Sequence, residues 1–355
     1  MTIRLTIGGR HHEGWTEALV RRSIETISGA FQLGVSERDP GALTPRAITP
    51  GEECTIALDG ETVITGYVDA VEIRYDAETH VIKVKGRDRT GDLVDCSAVQ
   101  QEWANAKLEA IAMEIAAPFG VTVRTVEDTG EVFRKFTIER GETAFEAIDR
   151  LCRLRGLLPI SDGKGGIVIG RAARERVGTR LMRGVNILKA NGRADWSERH
   201  SAYTILGQQA GSDEVFGGEA RNVTQVSAEA EDPGVTRYRP LVVLAEQGLS
   251  PAEAQERVKW EAAVRRGRSR QIMVTVQGWR EGGGALWAPG GLVSVMDDWL
   301  GIERNLLIST VDQGISDAGT ISTLTLMPED AFLQEPRQAD NSGGGQGGTG
   351  GGYWE

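Results

Sequence analysis

The sequence predicts a mixed, mainly β protein of the α+β class: two strand-rich blocks, a small α/β unit between them, and a Gly-rich C-terminal tail. Three observations carry this prediction. Short runs that alternate apolar and polar residues recur over residues 1–97 and again over about 176–332. Helical spacing is confined to two stretches in the middle and one near 250–266. Residues 343–352 hold eight glycines, a segment with too little apolar surface to order itself.

In the first block, Phe31-Gln-Leu-Gly-Val35, Val71-Glu-Ile-Arg-Tyr75 and Val81-Ile-Lys-Val-Lys85 alternate with period two. Asp76–Thr79 is a polar connection suited to a hairpin, and Asp59-Gly60 is a tight-turn signal. Pro40-Gly41, Pro45 and Pro50-Gly51 mark a loop over about 37–52. Strands of this number and spacing suggest a small barrel or sandwich.

Over 98–175 the pattern changes. Leu108, Ile111, Ala112, Ile115 and Phe119 share one helical face, which Pro118 and Gly120 terminate. A strand Val121–Arg124 follows. Thr143-Ala-Phe-Glu146 has the form of a capping box, in which hydroxyl and carboxylate satisfy the orphan amides of a helix start. Phe145, Ile148, Leu151 and Cys152 give this helix its apolar stripe, and Gly156 suits the position after its end. A turn at Gly163–Gly166 leads into a strand Ile167–Gly170.

The second block, 176–332, predicts strands at Ala202–Gly207, Leu241–Leu244, Ile272–Val276, Gly291–Val295, Leu306–Val311 and Ile321–Leu326. One helix interrupts them at about 250–266. It starts at a second capping box, Ser250-Pro-Ala-Glu253, whose proline sits where a missing N–H costs nothing. Residues 333–355 form a polar, flexible tail that ends in Tyr353-Trp354-Glu355.

Composition excludes several classes. The 355 residues carry 40 basic and 51 acidic side chains, a net charge of −11, so wrapping a nucleic acid is disfavoured and no stable nucleic-acid binding is expected. No apolar run reaches the ~18 residues of a membrane helix, and the N-terminus lacks a signal-peptide core. Cys54, Cys96 and Cys152 are scattered, without a CxxC, and read as reduced thiols.

Catalytic motifs are missing. Gly163-Lys-Gly-Gly166 lacks the leading glycine and the hydroxyl of a P-loop, and neither a GxSxG elbow nor an HExxH helix occurs. His11 and His12 are strand neighbours that point to opposite faces and would not chelate together; His80 and His200 stand alone. Glu102 and Glu109 flank the first helix, Glu139 and Glu142 the second, where carboxylates serve helix-end electrostatics. A working pair for glycoside hydrolysis needs a separation that sequence does not reveal. The expectation is no enzyme, no cofactor and no metal. Four aromatic residues are candidate partner-binding groups: Tyr353 and Trp354 at the tail's tip, and Trp279 and Trp287, which bracket Arg280–Gly284 and serve either as core anchors or as an interface.

Several stretches together resemble the baseplate hub protein of Mu-like contractile-tailed phages: Gly14-Trp-Thr16, Arg22-Ser-Ile-Glu25, Phe31–Val35, Gly66-Tyr-Val-Asp69, Gly86-Arg-Asp-Arg-Thr-Gly-Asp-Leu-Val-Asp-Cys96, Ala117–Arg124, Val235-Thr-Arg-Tyr-Arg-Pro240 and Gly278-Trp279. The resemblance spans 14 to about 330, and its specificity lies in number and order. It implies two similar β-barrel-like domains, 1–97 and 176–332, with the α/β domain 98–175 inserted between them. It further implies a homotrimeric ring that adapts a hexameric tail tube to a trimeric membrane-piercing spike and serves tail assembly and genome ejection. Expected partners are copies of itself, the spike, tube or distal tail proteins and other baseplate proteins, without membrane insertion. The expected location is the virion tail, after synthesis in the host bacterial cytoplasm. Gly141–Arg150 also resembles the start of a LysM-like carbohydrate-binding unit, which keeps a cell-wall-active tail protein, hydrolase or binder, as an alternative; the hub of a phage-derived injection device is another.

Overall fold

In the computed structural model, residues 1–37, 48–76, 80–172, 175–208, 225–245, 250–316 and 319–334 are described. The Gly-rich tail with Tyr353 and Trp354, the Pro40-Gly41 and Pro45 turn signals, and most of the 76–79 connection lie outside them. The chain is mainly β and falls into two units, one of Met1–Glu198 with Ala263–Gln334, the other built on Arg199–Ala262.

In the first unit the chain begins with β1 (Ile3–Ile7), β2 (Arg10–His12), β3 (Glu17–Ser23), β4 (Ala30–Glu37), β5 (Glu53–Leu58), β6 (Glu61–Tyr75) and β7 (His80–Asp88). Leu5, Val20, Leu33, Ile56, Ile64 and Val84 point inward at period two and are almost fully buried, which is why these segments form strands with one wet face. Glycine permits the closest backbone contact: a Cβ at Gly66 would run into the Arg87 carbonyl, and one at Gly86 into the Phe31 ring.

The α/β unit follows. It contains α1 (Gly91–Asp95), β8 (Glu102–Ala106), α2 (Leu108–Ala116), β9 (Thr122–Thr125), β10 (Phe133–Thr137), α3 (Ala144–Arg153), β11 (Leu158–Ser161) and β12 (Gly166–Gly170). Both bonds of the capping box at Thr143 and Glu146 are made. Leu108, Ile111, Ile115, Ile148, Leu151 and Cys152 form its core together with Phe133 and Phe136.

After the short strands β13 (Glu175–Arg176) and β14 (Leu181–Met182) comes β15 (Lys189–Ala194). The second unit then opens: β16 (Ala202–Gln208), β17 (Gln225–Glu231) and β18 (Pro240–Leu244) make a three-stranded sheet of order β17-β16-β18. Tyr203, Ile205, Val226 and Ala228 of the sheet pack on Ala254, Val258 and Ala262 of α4 (Pro251–Arg268). The cap of α4 is made as its sequence predicts, with the Glu253 amide donating to the Ser250 hydroxyl and the Ser250 amide to the Glu253 carboxylate. Residues 199–262, read from sequence as part of one block over 176–332, therefore carry a core of their own.

The first unit resumes with β19 (Arg270–Gln277), β20 (Gly291–Asp297), β21 (Ile302–Ser316) and β22 (Gly319–Met327). Its large sheet has the order β15-β19-β22-β21-β3-β4-β7-β6-β5-β1-β2, with β20 joined to β21. Both strand-rich blocks thus lie on one hydrogen-bonded path. Along it the order β3-β4-β7-β6-β5 is repeated as β15-β19-β22-β21-β20.

The repetition extends to detail. β6 and β21 are both 15 residues long, and each is bulged near its middle, between Val68 and Ala70 and between Ile308 and Thr310. Before the bulge each pairs with the preceding strand, β5 or β20. At the handover a Pro-Gly step recurs. Gly51, after Pro50, donates to the Val68 carbonyl, and Gly290, after Pro289, donates to the Ile308 carbonyl, both at 2.8 Å. Their φ angles are 90° and 91°, in the region that glycine favours.

Candidate assembly site

The place where the two blocks meet is the seam between β3 and β21. Its register sets Ser23 against Thr310, Arg22 against Val311, Arg21 against Asp312 and Ala18 against Ile315. On the wet face Arg21 grips Asp312 with two parallel bonds, Nε to Oδ1 at 2.6 Å and Nη2 to Oδ2 at 2.7 Å, and that carboxylate raises the Arg21 pKa. On the inner face Arg22 donates to the Trp287 carbonyl at 2.6 Å and to Gln313 Oε1 at 2.9 Å; burial pulls this guanidinium down to about 10. Gln313, fully buried, donates in turn to the Trp279 carbonyl at 3.1 Å. At the end of the seam the Ser23 and Thr310 hydroxyls bond at 2.8 Å, and the Ile24 amide reaches the Ser309 carbonyl at 2.9 Å.

The two tryptophans singled out from the sequence stand behind this seam. Trp279 is 0% exposed and belongs to the core of the first block, although it follows β19 of the second; its indole N–H donates to the Gly314 carbonyl at 3.2 Å. Trp287 is 3% exposed and packs in the core of the second block. Of the two roles left open for Trp279 and Trp287, core anchor or interface, their burial within one copy fits the core anchor. Neither ring reaches the surface, because the Arg280–Gly284 turn folds both inward, with the Trp287 amide bonded to the Trp279 carbonyl at 2.9 Å. Tyr353 and Trp354 lie outside the described residues.

The titratable candidates are dispersed. His11 Nδ1 meets the Thr6 hydroxyl at 3.0 Å across β1 and β2, and His80 lies edge-on to Tyr75. Glu102 is paired with Lys135, which lowers its pKa, and Glu109 accepts from Thr129 at 2.6 Å. Burial pushes the Glu142 carboxyl up, but Arg150 at 2.8 Å and the Glu139 amide outweigh it and hold the pKa below its usual 4.5. A carboxyl held ionised in this way is not a general acid. Burial pushes the Cys54 thiol up to about 12 and Cys152 higher still, so neither is a thiolate at neutral pH. Among the described residues no three His, Cys, Asp or Glu side chains are grouped to hold a metal ion.

Comparison with known proteins bears on the same residues. Residues 2–88 match the family model "Mu phage baseplate assembly protein GpP-like, N-terminal". Residues 90–171 match "Baseplate hub protein gp44-like, second domain", 199–259 "Tail protein NMB1110-like, third domain", and 250–335 "Mu phage baseplate assembly protein GpP, fourth domain". The chain is 34% identical over 358 residues to the baseplate hub protein gp44 of Escherichia phage Mu, covering 97% of this chain and 94% of that one. Among solved structures, the 43 kDa tail protein of prophage MuSo2 from Shewanella oneidensis aligns with a TM-score of 0.84 at 36% identity, over 95% of this chain and all (100%) of that one. A tail protein from Neisseria meningitidis MC58 has the same fold, with a TM-score of 0.80 at 24% identity over 94% and 98% of the two chains.

Proposed function

The chain belongs to the family of Mu-like phage baseplate hub proteins, and from that premise we propose that it is the adaptor ring of a contractile tail, three copies joining the hexameric tube to the trimeric spike. It is a structural component of the virion's tail baseplate. The observation that supports the finer reading is the repeated strand order within one chain. Two near-equivalent blocks per copy let a threefold ring offer six similar faces to a sixfold tube, while the ring itself keeps the spike's symmetry.

The action of such a ring is mechanical. Continuous strand pairing makes it stiff along the direction in which the contracting sheath drives tube and spike, and the genome passes after the spike has left. Its work is done by hydrogen-bonded backbone and packed cores rather than by a reacting group.

The test is reconstitution. Purified protein mixed with its own tube and spike proteins should bring both down together. Capture of neither partner, or of one only in competition with the other, contradicts an adaptor.

A further inference from the structure

The repeated block leaves one junction unmatched. In β21 the residues beyond the bulge pair on their outer side with β3. The counterpart in β6 is Ala70–Tyr75, and among the described residues no strand pairs with its outer side, since β5 stops at Tyr67. The counterpart of β3 is β15, which ends the sheet order and has no strand beyond it among the described residues. One copy therefore carries both halves of a second seam, one at the β15 end of its strand path and the other along the uncovered Ala70–Tyr75 part of β6.

Equivalent positions follow from the ladders. In the first block Val71 faces Val84, Val84 faces Leu33, and Leu33 faces Ala18. In the second Val311 faces Leu324, Leu324 faces Val274, and Val274 faces Ala190. One residue on from Val311 is Asp312, and one on from Val71 is Glu72. Three on from Ala18 is Arg21, and three on from Ala190 is Arg193. The acid and the base of the bidentate seam pair thus both recur on the open edges. The open edge of β6 also presents Ile73, 53% exposed, and Tyr75, 79% exposed. Trp196, 40% exposed, holds the place of Ile24, which is buried against Leu292 and Leu307 at the existing seam.

We propose that β15 of one copy pairs antiparallel with Ala70–Tyr75 of β6 in a second copy, with Arg193 opposite Glu72, so that the contact between copies repeats the seam within each chain. The local partners do not oppose this. Glu72 is bonded to Lys85 and Arg193 to Asp195 in exposed pairs that exchange at little cost. Unpaired edges of this kind add strands readily, and every copy offers both the open edge and the matching strand, so three copies joined head to tail use both halves of the seam in each. The inference rests on the reading that the hub works as a trimer.

The test uses the full chain with exposed Cys96 replaced by Ser and with Glu72→Cys and Arg193→Cys together. Directly opposed strand residues lie within disulfide reach. Mild oxidation should give a covalent trimer that a reductant dissolves, while either cysteine alone gives none. Glu72→Arg and Arg193→Glu should each weaken the trimer about tenfold or more, and the two together should restore it. A trimer in solution that does not cross-link at 72 and 193 overturns this pairing and leaves the adaptor reading standing. A stable monomer overturns both.

Discussion

The two strand-rich blocks share their sheet and differ in their connections. In the first, residues 24–29 join β3 to β4; in the second, the equivalent connection from β15 to β19 carries the whole of Arg199–Ala262 with its separate core. The order of strands, the 15-residue bulged strand and the Pro-Gly handover survive that insertion unchanged. Ladder hydrogen bonds constrain every residue of a strand, whereas a loop end need only return to its starting place, so sheets keep their geometry while connections gain length. The blocks also differ in what lies beyond them: the first is closed by β21, the second ends in β15. That difference leaves the outer side of β15 and of Ala70–Tyr75 without a paired strand among the described residues.

The largest expected effect tests how far the blocks depend on each other. Trp279 leaves the second block to fill the core of the first, so Trp279→Ala should cost about 4 kcal/mol in denaturant unfolding and loosen both blocks together. Trp299→Ala, at 81% exposure, should change stability by less than about 0.5 kcal/mol. Loss of the first block alone would show that the seam does not couple them.

Asp232→Ala sharpens the contrast with the inserted unit. Asp232 and Arg199 form a buried bidentate pair at 2.6 and 2.9 Å, and removing one partner should cost about 3 kcal/mol. The loss should be confined to 199–262, so hydrogen exchange should rise there and stay low in β3 and β21. A smaller effect, about 1 kcal/mol, is expected for Arg21→Ala, whose partner Asp312 is held at the wet face of the seam. Thermal melting measures it, and an effect several times larger would mean that this pair, not the buried Arg22, holds the blocks together.

The smallest effect concerns the α/β unit, which stands outside the repetition. The folded pKa of Glu142 lies below 4.5, so its contribution is complete above that value and is lost as the pH falls through the folded pKa. Glu142→Gln should flatten the decline of unfolding free energy as the pH falls below 4.5, by roughly a few tenths of a kcal/mol. An unchanged acid limb would show that Arg150 does not hold this carboxyl.

Three of the helices, α2, α3 and α4, were legible because their signals are local, whereas the five-residue α1 (Gly91–Asp95) is too short to show a periodicity. Thr143 with Glu146, and Ser250 with Glu253, place both starts within four residues, and both caps are made. Strands with one buried face, such as Val81–Lys85 inside β7, declare themselves by alternation. β21 is longer than the predicted Leu306–Val311, since its ends carry Glu303, Arg304, Asp312 and Gln313, polar residues that face water or the seam. β15 was not legible: Lys-Ala-Asn-Gly-Arg-Ala is almost wholly exposed in a single copy and shows no alternation. The seam joins Arg21 to Asp312 across 291 positions, a pairing that no local pattern announces. The inward turn of Trp279 and Trp287 depends on the same long-range contact.

In the proposed assembly the edge of β15 and the outer edge of β6 are two halves of a seam made between copies. Hydrogen–deuterium exchange tests it most directly, through the amides of β15 that face away from β19. At micromolar concentration these amides should be protected as strongly as those of β3 facing β21, and their protection should fall in Glu72→Arg while that of β3 stays. Amides of β15 that exchange as a free edge in a protein that is trimeric by light scattering would contradict the account.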